Sequence, residues 1–240
     1  MKRTFIFTLL SLLLTKNIFS ADHYKIGDQL YVWARNGINV RNGPGTNYTI
    51  LKTISFGDAV VIVDTTLIKY NLTAMEADME QDPGYKIDPL ILRGHWVKVS
   101  IDSVLTGYVI DQYLLTIEPE NLYGLDAHEN NYLKIISIDT TWRNPVEHHG
   151  NEPHYCLKIT FDQKITRGSC PSEIGSEVSF EFPGFSIEEV IIFFSNASGN
   201  FTDCYVLQNW KEKLEFQQEL CTWKLMKKND SIFVYIECNC

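Results

Sequence analysis

The chain has no histidine after His154, no cysteine before Cys156, and no acidic residue in its first twenty positions. Each absence excludes something. No imidazole follows Cys204, which excludes a cysteine nucleophile served by a downstream histidine and leaves only the reverse order, with His148, His149 or His154 as base. The Gly-x-Ser-x-Gly pattern is missing too; Gly168-Ser169-Cys170-Pro171 lacks the second glycine of a serine elbow. Beyond the N-terminus no run of about 18 apolar residues occurs, so no membrane span is expected after the first segment. Basic residues are in the minority, 21 against 30 acidic, for a net charge of −9. That balance repels a polyanionic duplex and excludes general nucleic-acid binding.

What is present begins with an export signal. Lys2 and Arg3 precede an apolar run over residues 4–14, too short for a spanning helix but suited to a secretory signal peptide. Ser20 and Ala21 offer a cleavage point, so residues 1–20 read as a signal peptide and the product as exported: periplasmic, cell-surface or secreted. Cleavage removes Lys2, Arg3 and Lys16, which lowers the net charge from −9 to −12. With 45% hydrophobic and 21% charged residues, the remainder has the composition of a folded protein.

Short strands separated by turn chemistry run from residue 29 onward. Asn36-Gly37 marks a tight turn, and Ile38 and Val40 alternate with Asn39 and Arg41 as in a half-buried strand. Asn42-Gly43-Pro44-Gly45 is a loop, because glycine permits positive φ and proline fixes it. Further strands are expected at residues 49–54, 59–64, 96–101 and 107–110, with a terminal turn at 111–114. Five short strands predict a small antiparallel barrel over residues 22–118, interrupted by a long insertion at about 64–94. Residues 119–131 read as a linker. Residues 132–240 form a second unit, with strands expected at 132–139, 155–162, 177–182, 189–195, 204–208, 221–227 and 231–238, and a possible short helix at 210–220. The expected fold is all-β: a small barrel followed by a disulfide-containing, β-sandwich-like domain.

The stretch from Ile38 to Gly45 resembles the opening signature of bacterial SH3-like (SH3b) domains. The resemblance continues through Ile54-Ser55-Phe56-Gly57-Asp58, His95-Trp96-Val97-Lys98-Val99, Thr106-Gly107-Tyr108-Val109 and Tyr113-Leu114. It covers roughly residues 27–117 and leaves the C-terminal half unrecognised. It implies a non-catalytic module that binds cell-wall peptide, peptidoglycan or a protein ligand. Tyr31, Trp33, Arg41, Asn42, Tyr48, Trp96 and Tyr113 are the candidate binding residues, since rings give contact area and a guanidinium pairs with carboxylates. Trp96 and Tyr108 fit a core position as well, and Arg41 fits a brace for its own loop.

Such modules often accompany cell-wall cysteine peptidases. Asp203-Cys204 is similar to their Asp-Cys nucleophile motif, yet Tyr205-Val206 stands where Ser-Gly should follow. No catalytic residue is assigned. His148, His149, His154 and Cys156 supply zinc-type donors without a standard spacing, and a solvated loop is the expected role. Glu76, Asp78, Glu80 and Asp82 recur every second residue, as in calcium loops, but Pro83 intrudes and Pro89 stands where the closing glutamate should. No metal or cofactor is expected. Cys156, Cys170, Cys204, Cys221, Cys238 and Cys240 are expected to form structural disulfides, with fifteen complete pairings open. The leading expectation is an exported binding protein. Its rivals are a cell-envelope hydrolase with an unrecognised C-terminal site, and an adhesion protein that uses the barrel as scaffold.

Overall fold

The computed structural model describes residues 24–77, 88–102, 104–119, 133, 135–143, 154–172, 175–197, 204–210 and 212–238. Residues 1–23, read above as a signal peptide with its cleavage point, residues 144–153 with His148 and His149, most of the acidic series and Cys240 lie outside the described residues.

Strands dominate, so the class is all-β. The first sheet contains β1 (Gln29–Val32), β2 (Ile38–Arg41), β3 (Ile50–Ile54), β4 (Ala59–Ala77), β5 (Leu90–Ser100), β6 (Thr106–Ile110) and β7 (Leu114–Leu115). Its order is β3-β2-β6-β5-β4, with β1 pairing with both β4 and β7. Every one of these strands sends an apolar side chain into one core, among them Leu30, Val40, Ile54, Ile62, Val97, Val109 and Leu114. Seven strands meet at one cluster only if the sheet wraps around it. Alternation at period two explains the inward set: Ile38 and Val40 are buried while Asn39 is exposed.

The expected insertion is built mostly as strand. β4 runs for 19 residues and pairs with β5 as far as Met75 and Leu90. Register shifts between Ile62 and Asp64, Thr65 and Lys69, and Thr73 and Met75 bend the hairpin. Its near half belongs to the first core. Its far half places Met75, Leu90 and Leu92 in a second, larger core.

That second core is covered by β8 (Ile135–Arg143), β9 (His154–Phe161), β10 (Thr166–Ser172), β11 (Gly175–Pro183), α1 (Ile187–Ala197), β12 (Cys204–Trp210), β13 (Lys213–Gln218), β14 (Cys221–Lys228) and β15 (Ser231–Cys238). The strands pair in the order β12-β13-β14-β15-β11-β10-β9-β8, all antiparallel. A parallel pair, Tyr205 opposite Glu76 and Val206 opposite Ala77, joins β12 to β4 and makes the two sheets continuous.

Three expectations are corrected here. A sandwich of two facing sheets is replaced by one continuous sheet with α1 packed on its apolar side. Residues 189–195 are helix, not strand: Phe194 of α1 meets Trp223 edge-on at 5.1 Å and Phe180 at 5.1 Å. Residues 210–220 are not a helix but the end of β12 and all of β13, because the alternating Leu214 and Phe216 are buried. β10 was not anticipated at all.

The helix has a local cause. Ser186 caps its N-terminus: the Glu189 amide donates to Ser186 Oγ at 3.1 Å, and the Ser186 amide donates to the Glu189 carboxylate at 2.8 Å. This reciprocal pair satisfies two otherwise orphaned amides, and a Ser→Ala change there typically costs about 1 kcal/mol. The run Val190 to Phe194 is buried throughout, since β-strands on one side and the first sheet on the other leave no solvent face.

Trp33 joins the two halves. It is fully buried, its indole N–H donates to the Ile117 carbonyl at 2.7 Å, and its ring meets Phe193 of α1 at 5.1 Å. Beside it the Arg35 amide and Nε donate to Asn196 Oδ1 and the Asn196 carbonyl, at 3.0 and 2.8 Å. Two disulfides staple the second sheet. Cys221–Cys238 bridges directly opposed residues of β14 and β15, and Cys156–Cys170 bridges β9 and β10. Cys204 is half-buried at the start of β12.

Candidate functional site

Arg41, Trp96 and Tyr113 meet on the first sheet, far from one another in sequence. They line a cavity of about 210 Å³ with Gly37, Ile38, Asn39, Thr46, Tyr70 and Ile110. Five elements make this groove, with Ile110 coming from β6. The β2 strand supplies Asn39 and Arg41, β5 supplies Trp96, and a 3-10 turn at Asp111–Tyr113 supplies Tyr113. The β4–β5 hairpin contributes Tyr70, which meets Trp96 edge-on at 5.8 Å between centroids. Trp96 is mostly enclosed, so it presents only a margin of its ring to the groove.

The turn is held by two buried side chains. The Gln112 amide donates to the Tyr70 carbonyl at 2.6 Å, which ties the turn to the hairpin. Asp111 accepts the His95 backbone amide at 2.8 Å and the Tyr24 hydroxyl at 2.8 Å. Burial pushes the Asp111 carboxyl up to about 6 against those hydrogen bonds and the nearby His95. Gly94 makes the approach possible, because a Cβ there would occupy the space of the Asp111 carboxylate and Gln112. Burial, reinforced by Tyr70, also pushes the Tyr113 phenol above its ordinary value, so it stays a neutral hydroxyl at physiological pH.

The loop after β2 forms the groove's rim. Asn42 Oδ1 accepts the Thr49 amide at 3.1 Å and the Asn42 amide donates to the Thr49 carbonyl at 3.0 Å. The Arg41 guanidinium donates to the Tyr48 carbonyl at 2.6 Å, so one end of the fork braces the loop. The Tyr48 ring lies over Gly43, where any side chain would collide with it.

Of the seven candidate residues, the structure brings Arg41, Trp96 and Tyr113 together. Asn42 and Tyr48 build the adjacent loop. Trp33 is enclosed in the core between the halves, and Tyr31 sits apart, its hydroxyl donating to Glu118 at 3.2 Å. Tyr70 escaped sequence reasoning because it falls in the stretch read as an insertion. Alternating Tyr70, Leu72 and Ala74 was the available signal, since all three turn inward.

The other chemistry-bearing residues are placed as follows. Cys156 is bonded to Cys170, so its thiolate is not available as a metal donor beside His154. Glu76 lies on β4, while Asp78, Glu80 and Asp82 lie outside the described residues. Among the described residues no helix is long and apolar enough to cross a membrane. No protein-family profile, curated protein or solved structure matches the chain.

Proposed function

We propose that the chain is an exported, non-enzymatic binding protein whose first half is an SH3-like (SH3b) module recognising cell-wall peptide, peptidoglycan or a protein ligand. The observation that carries this reading is the groove in which Arg41, Tyr70, Trp96 and Tyr113 meet. Apolar ring surface, a few polar side chains and one guanidinium suit a short peptide with a carboxylate. The seven strands wrapped on one core support an SH3-like barrel, and the resembling segments fall on β2, β5, β6 and the turn before β7. Disulfides fit an oxidising compartment, as export requires. The second half acts here as a partner that buttresses the barrel through Trp33 and the β4–β12 pair.

The test is co-sedimentation of the intact mature chain with purified peptidoglycan. Binding is expected, and Tyr70→Ala combined with Arg41→Gln should weaken it by about tenfold or more. A chain that stays in the supernatant, together with no tryptophan fluorescence change on adding wall stem peptides, would sink the wall-binding reading. Release of soluble wall fragments during the incubation would replace binding with hydrolysis.

A further inference from the structure

Strand register lines up two rows of side chains across β8, β9, β10 and β11. The first row is Ile138, Ile159, Arg167 and Phe180; the second is Thr140, Leu157, Ser169 and Val178. Directly opposed residues share a face, and the buried Ile159 and Phe180 put both rows on the side of the second core. Towards β15 and β14 that side is covered, since Phe194 of α1 meets Phe180 and Trp223. Towards β8 it opens. Leu157, Ser169 and Val178 are half-buried, Thr140 is exposed and Ile138 is 58% exposed. Arg167 stands where the cover gives way, between two buried apolar neighbours, Ile159 and Phe180.

A cation on the apolar side of a sheet is costly without a counter-charge. Arg167 is half-buried, and its Nε is shielded from water with no hydrogen-bond partner. Its guanidinium instead lies 5.9 Å from the centre of the Phe180 ring. The acids on the neighbouring strand do not serve it: Glu181 is opposite Thr166 and Glu177 opposite Cys170, which puts both on the other face. Among the described residues no carboxylate pairs with Arg167, in a chain where acids outnumber bases by 30 to 21. Ser169, two residues along β10, shares the face and adds a hydroxyl beside the guanidinium.

We propose that this open end of the apolar face binds a fatty carboxylate. The carboxylate pairs with the outer end of the Arg167 guanidinium and accepts from the Ser169 hydroxyl. The acyl chain runs from there over Leu157 towards Ile138 and Thr140. One positive charge matches a monocarboxylate and leaves a dianion half compensated. A peptide laid on the same strip would set its own backbone amides against Leu157, Val178 and Ile138, unpaired, whereas an acyl chain brings no second polar group. From Ser169 to Thr140 is two strand spacings, about 10 Å, which an extended chain of about eight to ten carbons spans.

The experiment is calorimetric titration of the intact mature chain with hexanoate, decanoate and the neutral decanoyl-N-methylglucamide, below their micellar concentrations and at constant ionic strength. Saturable decanoate binding with a Kd of about 1 mM or tighter is expected. Hexanoate should bind about tenfold weaker, at about twofold per half-buried methylene. The neutral compound keeps the tail and loses the ion pair, so it should also bind about tenfold weaker. Arg167→Gln should bring decanoate down to that same affinity. Ile138→Asn changes an exposed position, so circular dichroism should be unaltered; it should weaken decanoate by about threefold and leave hexanoate as it was. Should Arg167→Gln fail to fold, the neutral compound and Ile138→Asn decide the matter. No saturation by about 10 mM decanoate, equal affinity for the neutral compound, or unchanged decanoate affinity in both variants overturns the site. A dimer in sedimentation equilibrium that Ile138→Asn dissociates gives the face to a second copy and overturns it too. The groove variant Tyr70→Ala/Arg41→Gln should leave decanoate affinity intact, which separates failure of this site from failure of the peptide-binding reading.

Discussion

Replacing Asp111 by asparagine should make the protein's stability less sensitive to pH, in a direction opposite to that of an ordinary surface carboxylate. The side chain has no solvent exposure, and burial holds its carboxyl at about 6 instead of 3.8. A carboxyl that is harder to ionise in the folded chain favours folding while it carries its proton. The contribution is complete below the unfolded value near 3.8 and is lost as pH rises through about 6. A difference of roughly two units corresponds to about 3 kcal/mol over the whole window, of which about 2 kcal/mol falls between pH 4 and pH 7. Asparagine keeps a carbonyl to accept the His95 amide and cannot ionise. Urea unfolding of both proteins across that pH range gives the difference directly, because the other titrating groups cancel. The variant should gain about 2 kcal/mol relative to the parent on going from pH 4 to pH 7. A difference that stays flat within about 0.5 kcal/mol, or that runs the other way, refutes the claim that desolvation dominates at Asp111.

Other expected outcomes rest on separate parts of the fold. Replacing Cys221 and Cys238 together by serine opens a bridge spanning 17 residues and should cost about 3 kcal/mol in urea denaturation; a loss under about 1 kcal/mol would mean the sheet alone holds that hairpin. Ser186→Ala removes the cap of α1 and should cost about 1 kcal/mol, with Ser186→Asp retaining most of it. Trp33→Ala deletes the ring that links both halves and should cost about 3–5 kcal/mol. Near-ultraviolet circular dichroism and amide hydrogen exchange in the second half should then shift together, whereas a loss confined to the first half would argue against a shared core.

Particular elements show what could be read in advance. The β2 strand and its loop were legible because Ile38 to Gly45 combines alternation with two glycines and a proline, all local signals. The last strand was legible for the same reason, with Ile232, Val234 and Ile236 alternating inward. The helix α1 misled because Val190 to Phe194 is continuously apolar and β-prone, which periodicity alone cannot separate from a buried strand. Its capping box, Ser186 and Glu189 three residues apart, was the overlooked evidence. The hairpin arms misled in another way. Bulges at three places break the alternation of β4, so a single long strand read as strand followed by loop.

Chain chemistry by itself determined the acidic balance, the all-β class, the turn-rich first half and the concentration of cysteines in the second. Those properties follow from composition and from contacts a few residues apart. Only tertiary structure decided which rings face the groove, that Trp33 belongs to a core spanning both halves, and that Ile138, Leu157, Arg167 and Ser169 share one face. Each depends on register between strands distant in sequence, and a shift of one residue would turn every one of those side chains to the opposite face.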